Sequence, residues 1–478
     1  MFGDNLETTC GCVVAGAGPA GMGLLFNALK SGTLPDLARD GLIIVDASAS
    51  PGVGCLGDYR ITANSVGDVF LDCLRDPALR DVFQPLERSP AYWRIRRQAQ
   101  SAPQLSDVGE LLAEASRLVL EFIIQRYGVQ LWHSTTVTEV VKDGDEYCVW
   151  VEHEGRTRRI RTRAVVLNLG GQQDPRHLHE GLAEHGLMVP ASATIRSADQ
   201  LLRMNAVQLR ETFAPALASS GRITVVGGSH SAFSVLENLA DALEFAGLQE
   251  VTLLHRSAIR LFYESAAHAH AAGYVFDPVK DVCPVSGRIN RSGGLRYRAL
   301  EVGREVLSCG WVGKTGVRAR TFRIQGGSQQ DYELAAQALL ESSVVVQCTG
   351  YQPRLPILSF RDGSPIVLRE AKGGLDSDAS GCPLDNAGQR LHGLHLFGIG
   401  AGLAADTSLG SEPSFDGRIY GVWQFHNDAS RTVIDAVVLR LQQPVPEIAV
   451  PSRSLVQRLE QGMPYLFPGL AGAAGAEG

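Results

Sequence analysis

The stretch VAGAGPAG, residues 14–21, sets Gly16, Gly18 and Gly21 at the spacing G-x-G-x-x-G, with Pro19 and Ala20 between the last two. Residues of this kind at this spacing suit the binding of a dinucleotide. The first glycine permits a tight turn, the second lets backbone amides approach a pyrophosphate, and the third lets a helix pack closely on a strand. The pattern by itself decides little. With 52 glycines among 478 residues, roughly 0.6 copies arise by accident. Its surroundings decide more. CGCVVA before it reads as a buried parallel strand, and PAGMGLLFNALKSG after it has helical spacing at Met22, Leu25 and Leu29. GLIIVDASAS then supplies a second apolar strand that ends in Asp46, whose carboxylate can accept from ribose hydroxyls.

A second loop follows later in GRITVVGGSHSAFSVLENLADALEFAGLQEVTLLHRSAIR. Gly227, Gly228, Ser229, His230 and Ser231 form its turn, with Ser229 where a glycine is usual. The next strand ends at His255 and carries Arg256 and Arg260 beyond it, with no acid. An acid there would repel a 2′-phosphate, whereas arginine binds one through paired hydrogen bonds. The second loop is therefore expected to take NADPH rather than NADH.

These loops need strands and helices to hold them, and the rest of the chain provides the rhythm. A long helix runs through DVGELLAEASRLVLEFIIQRYG, two hairpins turn around GDE and GRTRR, and AVVLNLGG is an apolar strand. ESSVVVQCTGYQPRLPIL repeats the arrangement of an apolar strand followed by small residues. LHLFGIGAG reads as a last buried strand that brings Gly398 and Gly400 towards a ligand, and DGRIYGVWQFHNDASRTVIDAVV as one closing helix. The length calls for two or three domains. A net charge of −7 gives no footprint for nucleic acid or an anionic membrane. No apolar run approaches the ~20 residues of a membrane span. Nine scattered cysteines without a C-x-x-C suit reduced thiols, and the polar start MFGDNLETTC carries no signal-peptide pattern, so a cytoplasmic protein is expected. Cys10 and Cys12, two apart on a strand, are expected on one face of the core. His177 with His179, and His268 with His270, lack partners at ligand spacing, and no metal is expected.

The order VAGAGPAG, VVGGSHSA, HRSAIR and CTGYQP, spread over roughly residues 10–440, resembles the two-dinucleotide-binding-domain flavoproteins. Within them it is most similar to class B flavin monooxygenases of the N-hydroxylating branch. The resemblance implies an α/β fold of two Rossmann-like domains, with an NADPH domain (205–345) inserted in a discontinuous FAD domain (8–200 and 346–445) and a tail at 446–478. It implies FAD on Gly16, Gly18, Pro19, Ala20, Gly21, Asp46, Gly398 and Gly400. It places NADPH on the second loop with Arg256 and Arg260, and makes Thr349, Gly350 and Tyr351 a linker or NADPH contact. Asn64 and Ser65 in YRITANSVGD stand where the family approaches the flavin ring. The implied chemistry is oxygen transfer from O2, through a C4a-hydroperoxyflavin, to a nucleophilic atom. A primary amine or amino acid is the first expectation. S-oxygenation, Baeyer–Villiger oxidation, plain NADPH oxidase or reductase activity and a flavin-binding regulatory role remain alternatives. Disulfide reductases share the architecture but need a paired thiol, and Cys55 has no neighbouring cysteine.

Overall fold

Six successive residues, Cys10–Ala15, are buried in strand β1 (Glu7–Ala15), which is what a strand covered on both faces of a parallel sheet requires. In the computed structural model, which describes residues 7–371, 374–401, 403–404, 410–419 and 421–444, β1 leads through the first glycine turn into α1 (Pro19–Lys30) and β2 (Leu42–Val45). Pro19 opens α1, where its fixed φ fits and no backbone N–H is missed. The long helix α2 (Leu105–Tyr127) ends at Gly128, whose φ of 66° closes it in the left-handed region. Strands β3 (Gln130–Trp132), β4 (Thr135–Asp143), β5 (Glu146–His153) and β6 (Arg156–Leu167) follow. Both expected hairpins are present, β4–β5 and β5–β6 pairing antiparallel.

The second sheet is wholly parallel. It contains β7 (Thr194–Ser197), β8 (Arg222–Val226), β9 (Glu250–His255), β10 (Arg318–Arg323) and β11 (Ser342–Gln347) in the order β10–β9–β8–β11–β7. Its helices include α3 (Ala198–Leu201), α4 (His230–Leu243) and α5 (Tyr297–Cys309). Strand β7 thus pairs into this sheet ahead of the boundary expected at residue 205. The chain then returns with β12 (Ile357–Phe360) and β13 (Leu394–Leu396) to the first sheet, whose order is β12–β4–β5–β6–β1–β2–β3, with β13 also on β6.

Two readings need correction. Cys10 and Cys12 are both buried, but Cys12 packs with Val14 and Met22, and Cys10 joins Val13 and Ala15 on the other side. Strand alternation is disturbed between them at Gly11, whose N–H meets both the Asp40 and Gly41 carbonyls. The closing helix is two helices, α6 (Val422–Asn427) and α7 (Ala429–Gln442), broken where Asp428 leaves helical geometry (φ −130°, ψ −72°). The break lets α6 lie against α1. Gly23 makes that approach possible, since a Cβ there would stand 2.5 Å from the Phe425 carbonyl oxygen. His426 donates from Nε2 to the Pro19 carbonyl (3.1 Å) and meets the Phe26 ring edge-on. Burial pushes this imidazole down to about 4, so it is a neutral donor that braces the start of α1. The tail at 446–478 lies outside the described residues. Among the described residues no helix is long and apolar enough to cross a membrane.

Candidate functional site

One cleft of about 2090 Å³ runs past both glycine turns. At the first, Gly16 has φ +92°, and a Cβ there would stand 2.3 Å from the Asn168 carbonyl oxygen. A Cβ on Gly21 would stand 2.0 Å from the Gly16 carbonyl oxygen, so this glycine lets α1 close on the turn. Gly18 differs. Its nearest neighbour would be Gly54 Cα at 3.5 Å, an ordinary contact, and it borders the cleft with Pro19 and Ala20. Gly18 is therefore open on the cleft side, and Gly21 is the one kept bare for packing.

Asp46 borders the same turn with both oxygens engaged: Oδ2 accepts from the Ala17 N–H (2.6 Å) and Oδ1 from the Ser48 N–H (2.7 Å). The carboxylate organises the loop, and each of its oxygens retains further accepting capacity. Gly398 (φ +103°) borders the cleft, and a Cβ there would stand 3.0 Å from Ala20 Cβ. Gly400 and Gly21 do not border it. A Cβ on Gly400 would lie 2.4 Å from the Gln352 carbonyl carbon, so its role is packing. Asn168, which sequence reasoning passed over in AVVLNLGG, reaches the turn from the end of β6. Its Nδ2 donates to the Val166 carbonyl, and its Oδ1 is buried without a partner among the described residues.

At the second turn Gly227 has φ +146°, and a Cβ would stand 2.3 Å from the Cys348 carbonyl oxygen. Gly228, Ser229, His230 and Ser231 all border the cleft. His230 is occupied by the protein itself: Nε2 accepts the Arg296 backbone N–H (3.1 Å), and burial with the Arg296 charge pushes the imidazole down to about 4. Arg256 and Arg260, read as a pair from sequence, part company. Arg256 is exposed at the cleft with no side-chain acceptor among the described residues. Arg260 donates from Nη1 to Ser414 Oγ (3.1 Å) and from Nη2 to the Ser414 carbonyl (3.0 Å). Arg256→Ala should therefore raise the NADPH Michaelis constant about tenfold, the worth of a single charged contact of ~1.4 kcal/mol. Arg260→Ala should act mainly by loosening the segment around Ser414. Steady-state kinetics with NADPH and NADH separate them, and equal NADPH constants for wild type and Arg256→Ala would remove Arg256 from the site.

Asn64 and Ser65 border the cleft, Asn64 exposed and Ser65 half-buried. Thr349 and Gly350 do as well, held by Gln347 Nε2 on Thr349 Oγ1 (3.3 Å) and Gln173 Nε2 on the Gly350 carbonyl (3.1 Å). Tyr351 is joined by three residues the sequence reading missed. Tyr59 donates to Asp199 Oδ1 (2.5 Å) and meets the Tyr351 hydroxyl (3.3 Å), while Arg203 donates to the same Asp199 oxygen (2.7 Å). The only signal in the sequence was the i, i+4 spacing of Asp199 and Arg203.

No family model matches the chain. A CMP-5′-(3-aminopropyl)phosphonate hydroxylase of Streptomyces rubellomurinus (strain ATCC 31215) is 33% identical over 436 residues, 90% of this chain and 96% of that protein. The chain belongs to the class B flavin-dependent N-hydroxylating monooxygenases. Among solved structures, the ornithine N-hydroxylase of Kutzneria sp. 744, with reduced FAD, NADP+ and L-ornithine, superimposes with a TM-score of 0.52 at 15% identity, covering 90% of this chain and 99% of that one. The cadaverine monooxygenase of Erwinia amylovora, bound to FAD, gives 0.50 at 12% identity over 98% and 100% of the two chains. These two share the fold. This monooxygenase is an N-hydroxylating enzyme, and the two solved structures hold FAD, one of them with NADP+. The first turn fits a flavin nucleotide: a Cβ on Gly18 would make only ordinary contact with Gly54, and Asn168 Oδ1 is buried with no partner among the described residues.

Proposed function

We propose that this monooxygenase hydroxylates the primary amine of an aminoalkylphosphonate carried as a nucleotide conjugate. The observation that carries the reading is the cleft lining at Arg288, Arg291 and Arg296, of which Arg288 pairs with Glu264, in a protein of net charge −7. Arg296 is the sharpest member. Its guanidinium stacks 4.7 Å from the Phe262 ring centre, has no carboxylate at ion-pair distance among the described residues, and is pulled below the usual arginine range by burial. A charge held in this way calls for an anion from outside. The hydroxylase of Streptomyces rubellomurinus, whose substrate carries phosphorus anions and a terminal amine, supplies the matching chemistry.

In this reading FAD lies along residues 8–200 and 346–445, NADPH along 205–345, and the cleft between the two turns receives the substrate and O2. Bound FAD, once reduced by NADPH, supplies the oxygen-activating chemistry. The chain itself binds and orients. The start of α1 faces a pyrophosphate with its free amides, Asp46 fixes the loop and the ribose, and Arg256 selects the 2′-phosphate. The cleft lining around Arg296 seats the substrate's phosphorus oxygens, so the amine projects away from them. Nine free thiols support a cytoplasmic setting.

The test is a comparison of amine-dependent NADPH consumption, with product mass, across CMP-5′-(3-aminopropyl)phosphonate, 3-aminopropylphosphonate, ornithine, lysine and cadaverine. The expected result is a kcat/KM at least tenfold higher for the nucleotide conjugate than for ornithine. A preference for ornithine, lysine or cadaverine would overturn the substrate assignment.

A further inference from the structure

Tyr59, Asp199, Arg203 and Tyr351 come from three separate stretches of chain and meet on the cleft between the two glycine turns. Their hydrogen bonds have a fixed direction. An ionised carboxylate only accepts, so the Tyr59 hydroxyl must donate to Asp199 Oδ1 (2.5 Å). Arg203, donating to that same oxygen (2.7 Å), holds the carboxylate in place. With its proton committed, the Tyr59 oxygen can only receive at its contact with Tyr351 (3.3 Å), so the Tyr351 hydroxyl donates. Burial first, and Tyr59 second, hold the Tyr351 phenol above its ordinary range, so it keeps that proton. Its remaining capacity is acceptance alone.

We propose that Tyr351, polarised by Tyr59, Asp199 and Arg203, receives an N–H of the substrate amine and aims its lone pair at the oxygen to be transferred. This rests on the N-hydroxylation reading above. A nitrogen that accepts an oxygen atom needs its lone pair turned towards that oxygen, and an acceptor on one of its hydrogens fixes the turn. Further details agree with a ligand at this place. The Arg203 guanidinium lies 5.1 Å over the Tyr59 ring, and its Nε is buried without an acceptor among the described residues. The Tyr351 ring is itself seated: Gly171 leaves space that a Cβ would take at 2.9 Å from Tyr351 Cβ. Proton conduction along the chain to Asp199 is not the role. Tyr351 keeps its own proton, so the network positions a nitrogen rather than deprotonating it.

The experiment uses FAD-loaded protein and CMP-5′-(3-aminopropyl)phosphonate, with calorimetric binding, the Michaelis constants of amine and NADPH, and the ratio of hydroxylamine formed to NADPH consumed. FAD content and melting temperature check that each variant is folded. Tyr351→Phe should weaken amine binding at least tenfold, lower the product ratio at least threefold and leave the NADPH constant within twofold. Tyr59→Phe keeps Tyr351 in the cleft but frees its proton, and should lower the product ratio in the same direction by a smaller factor. Unchanged amine binding and product ratio in a folded Tyr351→Phe enzyme would overturn the proposal. So would a change confined to the NADPH constant, which would assign the acceptor to the nicotinamide carboxamide. Both results leave N-hydroxylation by the wild type standing. Failure of that reading is separate: it would show as wild-type protein that forms no hydroxylamine at all.

Discussion

A Gly21→Ala variant should be recovered poorly, melt at lower temperature and carry no flavin. The added methyl would stand 2.0 Å from the Gly16 carbonyl oxygen, a backbone atom that cannot swing aside. Overpacking of a tight site costs typically about 1–3 kcal/mol, and a clash against backbone at the floor of a turn belongs at the upper end. Gly18→Ala makes the instructive contrast. Its methyl meets only Gly54 Cα at 3.5 Å, so the apoprotein should melt with the wild type. FAD affinity should nevertheless fall at least tenfold, because the methyl occupies the space of the ligand. Thermal melts with and without added FAD measure both effects. A Gly18→Ala protein that binds FAD as the wild type does would remove the first turn from the flavin site.

The second large effect is expected at Gly227, with the opposite pattern. Its φ of +146° and the 2.3 Å from a Cβ to the Cys348 carbonyl oxygen make alanine a strained replacement. The damage should stay near β8, α4 and the Cys348–Tyr351 segment. Gly227→Ala should therefore be yellow when purified, yet its flavin should be reduced by NADPH at least about a hundredfold more slowly, equivalent to ~2.7 kcal/mol in the barrier. Dithionite should still reduce it normally. Anaerobic stopped-flow at 450 nm reads the rate, and an unimpaired reduction by NADPH would show that the nucleotide binds elsewhere.

The strand–turn–helix units were legible because their signals are local. An apolar run, a glycine turn and an amphipathic helix are contiguous in the sequence, and β1–α1–β2 and β8–α4–β9 formed where those signals stood. The two roles of glycine in one motif were legible in outline, and the structure separates them by distance at Gly18 and Gly21. The Tyr59–Asp199–Tyr351 contact was not legible, since 140 and 292 residues separate Tyr59 from its partners and the CTGYQP motif marks Tyr351 without indicating what its hydroxyl meets. The Arg260 contact was not legible for a related reason. Position after a strand indicates where a guanidinium starts, whereas its attachment to Ser414 depends on a segment 154 residues away. The closing helix was read as unbroken because Asp428 carries no glycine or proline signal, and only packing of α6 on α1 sets the break.

The central claim is that this chain transfers one atom of O2 to an amine nitrogen at the expense of NADPH. The most direct measurement is a turnover under 18O2 with FAD-loaded enzyme, NADPH and CMP-5′-(3-aminopropyl)phosphonate, read by fragment mass spectrometry together with peroxide and NADPH consumption. The account predicts one labelled oxygen on the terminal nitrogen, with product close to the NADPH consumed and little peroxide. NADPH consumption matched by peroxide, with the amine recovered unlabelled across the whole panel of amines, would contradict it.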